Sequence, residues 1–202
     1  AVAPDGSGGC YIGGSFTSVA GVARLNLAHV RADGTLDAWD PQTNGPIECL
    51  LATAEGIYIG GSFLNCGGEA SPNLGLVHRT TGASLHWTPT PDSVVRALAT
   101  DGTDIFVGGK FKNINGVQRR GFAVVTKSQV VTSLDLNLNS NSVNLPPEVN
   151  ALYYRFGKLY LGGQLVGVAG ATRVGAGAVL LSNGAALPWN PSVGARVRSI
   201  TY

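Results

Sequence analysis

One phrase recurs four times in this chain, and it restricts the possible folds more than any other feature. It reads Cys10-Tyr11-Ile12-Gly13-Gly14-Ser15-Phe16, then Ile57-Tyr58-Ile59-Gly60-Gly61-Ser62-Phe63, then Ile105-Phe106-Val107-Gly108-Gly109-Lys110-Phe111, then Leu159-Tyr160-Leu161-Gly162-Gly163-Gln164-Leu165. The leading glycines Gly13, Gly60, Gly108 and Gly162 stand 47, 48 and 54 residues apart. Eight residues after each stands Gly21, Gly68, Gly116 or Gly170, and eleven after each stands Arg24, Ser71, Arg119 or Arg173. Trp39, Trp87 and Trp189 follow 26, 27 and 27 residues on, each with a Pro two residues later. In the third copy Leu136, 28 residues on, is read as taking the Trp place. A fixed period of this length marks a chain built from one stacked supersecondary unit.

Each unit reads as β. In the second copy four short runs, 47–53, 57–63, 73–79 and 84–87, are rich in β-branched and aromatic residues and separated by turn residues. Asp5-Gly6 and Asp101-Gly102 sit between first and second runs; Asp33-Gly34, Thr81-Gly82 and Asn183-Gly184 sit between third and fourth. Such pairs suit tight hairpins, because Gly accepts a positive φ. Four strands of ~5–6 residues and four connections of ~6 residues add up to about 48 residues, near the observed period. The expected fold is all-β: a β-propeller of four ~50-residue, four-stranded antiparallel blades, as a closed four-blade ring or part of a larger propeller. The expected domain is 1–202, with repeats at about 1–46, 47–93, 94–148 and 149–202.

The recurring residues have structural readings. Glycine pairs weaken a strand unless a neighbouring backbone or ring comes too close for a Cβ. Phe16, Phe63 and Phe111 are expected in the gap between adjacent sheets, with the tryptophans further out. Arg24, Arg119 and Arg173 read as clamps on backbone carbonyls or on a carboxylate. The run Val197–Tyr202 matches Val95–Thr100, and residues 1–6 match 97–102, so both ends fall at one phase of the repeat. The last strand then either completes the blade begun at residue 1 or pairs with a missing neighbour. With no Met in the chain, the sequence reads as a processed protein or a segment of a longer one.

Composition narrows the function. Lys and Arg number 14 against 12 Asp and Glu, a net charge of +2 that argues against a dedicated nucleic-acid binder. No apolar run approaches the ~18 residues of a membrane-spanning helix, so no membrane insertion is expected. A hydrophobic share of 44% is too high for a disordered chain.

Tyr11-Ile12-Gly13-Gly14-Ser15-Phe16 with Gly21, Arg24-Leu25-Asn26 and Trp39-Asp40-Pro41 resembles the delta-60 repeat family of large bacterial secreted or surface proteins. It is also similar to repeats of fungal cortical polarity-marker ectodomains. The resemblance spans essentially the whole chain. It implies a propeller-like extracellular or cell-surface scaffold, often within a multidomain protein, and brings no catalytic residues with it. Ser71 replaces the Arg in copy two, Gly121 and Gly175 replace the Asn, and Leu136 replaces the Trp, so copy three is the least typical.

Residues able to carry chemistry are few. His29 falls in phase with Leu76 and Val124 and reads as a half-buried strand residue; His78 and His86 fall at other phases, so no metal cluster is expected. No phosphate loop, zinc-protease or nucleophile-elbow motif occurs. A glycosidase needs two carboxylates facing across a cleft. Asp37 and Asp40 are near each other, but Asp40 reads as a turn cap, as does Asp5. Cys10, Cys49 and Cys66 take places filled elsewhere by Ile, Ala or Val and read as small buried hydrophobes. Cys49 and Cys66 are nonetheless the best disulfide candidates, with one thiol left over.

No catalytic, cofactor or metal residue is therefore assigned, no cofactor is expected, and the binding residues stay unassigned. The expected function is a non-enzymatic extracellular scaffold that binds a protein or glycan partner on a propeller face, as part of a larger surface or adhesin-type protein. The stretch 134–148, LDLNLNSNSVNLPPE, and the loops around Asn65 and Asn113 are its candidate contact loops. Deleting 136–146 is expected to impair partner binding while leaving thermal unfolding largely unchanged. Two other readings stay open: a carbohydrate-active enzyme of the propeller type, and a purely structural module that pairs with other blades or chains through its strand edges.

Overall fold

The computed structural model describes residues 1–140 and 146–201. The first repeat contributes β1 (Val2–Pro4), β2 (Cys10–Gly13), β3 (Ser18–Val19), β4 (Val22–Ala23) and β5 (Leu27–Val30). The second contributes β6 (Ile47–Ala52), β7 (Ile57–Gly61), β8 (Asn65–Cys66), β9 (Glu69–Ala70) and β10 (Leu74–Val77). The third contributes β11 (Val95–Thr100), β12 (Asp104–Gly109), β13 (Asn113–Ile114), β14 (Val117–Gln118) and β15 (Phe122–Thr126). The fourth contributes β16 (Glu148–Arg155), β17 (Lys158–Gln164), β18 (Gly167–Val168), β19 (Ala171–Thr172) and β20 (Ala176–Leu180). The chain divides into two compact units, Ala1–Val95 and Arg96–Tyr202, with two repeats in each.

The repeat is all-β, but its sheet has three strands where four are expected. The orders are β1-β2-β5, β6-β7-β10, β11-β12-β15 and β16-β17-β20, with the glycine-pair strand in the middle. The fourth run touches its sheet through a single bridge: Val30 to Leu36, Val77 to Ser84, Val125 to Val131 and Val179 to Ala186. In the first two repeats a side chain turns the backbone as the run leaves the sheet. Asp37 Oδ1 accepts from Trp39 N at 2.8 Å and Ser84 Oγ from His86 N at 3.1 Å. Local bonds of this kind compete with a ladder.

A second difference is the small hairpin in each repeat: β3-β4, β8-β9, β13-β14 and β18-β19. Its two-residue turn has positive φ at both positions: Ala20 and Gly21, Gly67 and Gly68, Asn115 and Gly116, Ala169 and Gly170. That is the I′ geometry, and it explains the glycine eight residues after each leading glycine. Asn115-Gly116, the strongest short hairpin signal, marked it in the sequence.

Bridge positions also realign the third repeat. Asp37, Leu85, Thr132 and Leu187 each donate a backbone N–H to β5, β10, β15 and β20 respectively. Two residues on stand Trp39, Trp87, Leu134 and Trp189. Leu134, 26 residues after Gly108, is therefore the Trp counterpart, and the assignment to Leu136 is corrected. Leu136 matches Pro41: Ala169 N donates to its carbonyl as Gly67 N does to that of Pro41. Three leucines spaced by two, Leu134, Leu136 and Leu138, made the register ambiguous in sequence.

The leading glycines form a seam between repeats. A Cβ on Gly13 would lie 2.7 Å from Ile47 Cγ2, on Gly60 2.6 Å from Val95 Cγ1, on Gly108 2.7 Å from Val149 Cγ1 and on Gly162 2.5 Å from Val197 Cγ1. In each case an aliphatic side chain about 34–41 residues further along crowds the notch rather than a ring, joined at Gly60 by Cys49 Sγ of the same repeat at 2.5 Å. Residues 197–201 carry no strand assignment, although Val197 fills the same notch as Ile47. Hydrophobic cores run across these seams within each unit. In the first unit Tyr11, Trp39, Ile47, Ile59 and Phe63 pack together; in the second, Phe106, Phe122, Val149, Leu161 and Leu165 do.

Candidate functional site

The arginines are structural clamps. Arg24 Nη2 donates to Asp37 O at 3.0 Å, Arg119 Nη2 to Thr132 O, and Arg173 Nη2 to Leu187 O at 2.6 Å. All three acceptors are the same repeat position, so each guanidinium pins the departing fourth run. In copy two Ser71, 1% exposed, bonds Leu74 O instead.

The first unit holds a charged cluster around His29 on β5. Its ring stacks on Tyr11 at 4.4 Å. Nε2 lies 3.0 Å from Asp5 Oδ2, and Nδ1 lies 3.8 Å from Asp37 Oδ2. Asp5 Oδ1 also accepts from Ser7 N at 2.7 Å and Gly9 N at 3.0 Å. The bond to His29, then those backbone amides, hold the Asp5 carboxyl well below the usual carboxylate range. Trp39 N, then Arg31, do the same for Asp37. Arg79 of the second repeat donates to Asp5 O at 2.6 Å and to Thr53 O at 2.8 Å. With the Asp5 and His29 side chains 6% and 14% exposed, the cluster fastens the β1-β2 turn rather than presenting a free base.

The second unit holds a buried carboxylate that the sequence reading did not single out. Glu148, at the start of β16, has a side chain 5% exposed. Arg96 Nε of β11 lies 3.0 Å from its Oε1, off the hydrogen-bond axis, and Arg196 Nη2 meets its Oε2. The two arginine side chains are 31% and 38% exposed. Asn150 Nδ2 donates to Val197 O at 3.1 Å, so β11, β16 and the segment 194–197 are tied together. Arg196 also lines a cleft of about 280 Å³ with Gln164, Leu165, Val174 and Gly175. The available sign was one full period between Glu148 and Arg196, with Arg96 two residues past the same phase.

The remaining acids are largely caps. Asp33 Oδ1 accepts from Thr35 N, Asp40 Oδ1 from Gln42 N, Asp101 Oδ1 from Thr103 N, and Asp135 Oδ1 from Asn137 N. Among the described residues no group of three or more His, Cys, Asp or Glu is arranged to hold a metal. Cys10, Cys49 and Cys66 are all free, which corrects the Cys49–Cys66 candidate. Burial pushes the Cys66 thiol up to about 12 and also raises the Cys49 thiol, which favours the protonated form of both.

The candidate contact loops fare differently. Residues 141–145 of the 134–148 stretch lie outside the described residues. Leu136 and Leu138 are core, 1% and 2% exposed, and Asn139 bridges to Gly167. A deletion from 136 would therefore remove core, contrary to the expectation of unchanged unfolding. Asn113 is half-buried in β13. The loop around Asn65 is presented: Leu64 is 66% exposed, and Asn44 Oδ1 accepts from Leu64 N at 2.8 Å and Asn65 N at 2.9 Å. The adjoining Thr43 Oγ1 donates to Leu25 O, and Leu25 is 49% exposed. The 43–44 segment thus holds two exposed leucines from two repeats.

Among curated proteins nothing matches this chain. Residues 4–38, inside the first repeat, match the family described as "Domain of unknown function (DUF5122) beta-propeller".

Proposed function

We propose that this chain is a non-enzymatic scaffold of propeller type, extracellular or surface-borne, that binds a protein or glycan partner. The delta-60 resemblance and blade-like stacking belong to this reading, and the family match over residues 4–38 supports it. One observation carries it: the polar groups are consumed by architecture. Aspartates cap turns, arginines clamp carbonyls, and Glu148 is held by two guanidiniums. The solvent-facing surface around the Asn65 loop offers exposed leucine and amide groups beside the Glu69–His86 ion pair, a make-up suited to a contact loop.

The test is a glycan array beside a capture screen against extracellular proteins, with glycoside turnover measured in parallel. The expected result is retention of one partner class. The paired substitution Leu25→Asp with Leu64→Asp should weaken it at least about tenfold while the unfolding midpoint holds. Glycoside turnover that disappears in Asp37→Asn would replace this reading with the enzymatic one.

A further inference from the structure

Each repeat builds the same slot for a guanidinium, and the second repeat supplies no arginine to fill it. The frame is common to all four. Arg24 N donates to Thr17 O, Ser71 N to Leu64 O, Arg119 N to Lys112 O and Arg173 N to Val166 O, which fixes one side of the slot at the end of the small hairpin. Asp37, Leu85, Thr132 and Leu187 form the other side, each held by its N–H on β5, β10, β15 or β20. In three repeats an arginine spans the two sides. Its Nη1 donates to the carbonyl just before it, Ala23 O, Gln118 O or Thr172 O. Its Nη2 donates to Asp37 O, Thr132 O or Leu187 O.

In the second repeat Ser71 is too short to reach across, and its Oγ donates to Leu74 O at 2.8 Å. The carbonyls that match the arginine's two acceptors are Ala70 O and Leu85 O, and no described side chain donates to either. A carboxylate stands beside them. Glu69 occupies the place of Val22, Val117 and Ala171 in the other repeats. Its Oε1 lies 2.8 Å from His86 Nδ1, and Ser84 bonds it too, so it is fixed by the two residues that flank Leu85. The bond from Ser84 leads in holding its carboxyl below the ordinary value, so Glu69 carries its charge at neutral pH. The surroundings are open: Ala70 is exposed, and Leu64, whose carbonyl holds Ser71, is 66% exposed.

We propose that this slot takes an arginine side chain presented by a protein partner. The incoming guanidinium lies where Arg24, Arg119 and Arg173 place theirs, donating to Ala70 O and Leu85 O, with Glu69 supplying the opposite charge. Two carbonyls on opposite sides of a slot call for the planar fork of arginine, and the compact ammonium of lysine does not span them. The inference deepens the scaffold reading: it rests on the protein half of that reading and names the residue the partner contributes beside the Asn65 loop.

Titration of the isotope-labelled chain with N-acetyl-argininamide, followed through backbone amide shifts, tests it. Saturable shifts should appear at Ala70, Ser71, Leu85 and His86, with a dissociation constant on the order of 1 mM for so small a probe. N-acetyl-lysinamide should bind at least about fivefold more weakly. Ser71→Arg supplies the guanidinium from within, so it should abolish the response and raise the urea midpoint. Glu69→Gln leaves the slot empty but uncharged and should weaken the response at least about threefold; it carries the test if Ser71→Arg does not fold. Silent amides, an equal response to the lysine analogue, or an undiminished response in the variants overturns the proposal. The titration needs no partner, so silent amides remove the slot whatever the capture screen retains, and an empty screen leaves a responding slot in place.

Discussion

Trp39 and Leu134 occupy the same position in the first and third repeats, and the seams they build differ. Trp39 fills its seam with one buried ring, anchored by its N–H to His78 O. Leu134 is only half-buried, and the third repeat compensates with more chain: Leu136 and Leu138 are core, and Asn139 N and O pair with Gly167 O and Val166 N. In the first repeat a single side-chain carbonyl, Asn44 Oδ1, accepts from Leu64 N, the counterpart of Val166 N, and from Asn65 N. One seam rests on a large side chain and the other on an inserted stretch of backbone. The lesson is that this architecture fixes which groups need covering, and leaves open what covers them.

Trp39→Ala should produce the largest effect, about 3–5 kcal/mol in urea unfolding, because it empties a fully buried site. Trp189→Ala should cost no more than about 1 kcal/mol, since that ring is already part-exposed. Equal losses would mean that burial against the next repeat is not what the ring contributes. Glu148→Ala comes next, at about 3 kcal/mol. This is the low end for a broken buried pair, because water can reach Arg96 and Arg196. Gln129 then sharpens the comparison: it stands at φ 67° where the other repeats place Gly34, Gly82 and Gly184. Gln129→Gly should raise stability by about 0.5 kcal/mol, the left-handed strain relieved less the added freedom of the unfolded chain.

Acid should separate the two units by the least. Asp5, Asp33, Asp37 and Glu69, all in the first unit, are held below their ordinary values, led respectively by bonds from His29, Thr35, Trp39 N and Ser84. A lowered carboxylate contributes stability that is complete above the unfolded value of ~4 and is lost as pH falls toward the folded one. Asp104 in the second unit is raised by burial and by Asp101 beside it, so its protonation relieves the fold instead. Hydrogen exchange from pH 6 to pH 3 should show protection falling first in residues 1–95, and Asp5→Asn should flatten that fall.

Much of this was legible in the sequence because the repeat displays its own constraints. The Asn-to-Gly exchange at Asn26, Asn73, Gly121 and Gly175 looked like a departure from pattern. All four have φ between 64° and 81°, where Asn and Gly are the residues that fit. The arginine clamp followed from its recurrence. The three-stranded sheets were not legible: the fourth run has strand composition, yet in all four repeats it keeps a single bridge to its sheet. Glu148 was hidden because a buried ion pair has no period of its own, and its partners lie about fifty residues off on either side.

The central claim is that each repeat seats an aliphatic side chain in the notch left by its neighbour's leading glycine. A double-mutant cycle on Gly108→Ala and Val149→Ala, followed by urea unfolding, tests it most directly. The single Gly108→Ala should cost about 1–3 kcal/mol through overpacking. Combined with Val149→Ala, much of that loss should vanish, giving a coupling of about 1–2 kcal/mol. Losses that add to within about 0.3 kcal/mol would show that the glycine and the valine do not share a seam, and would contradict the account.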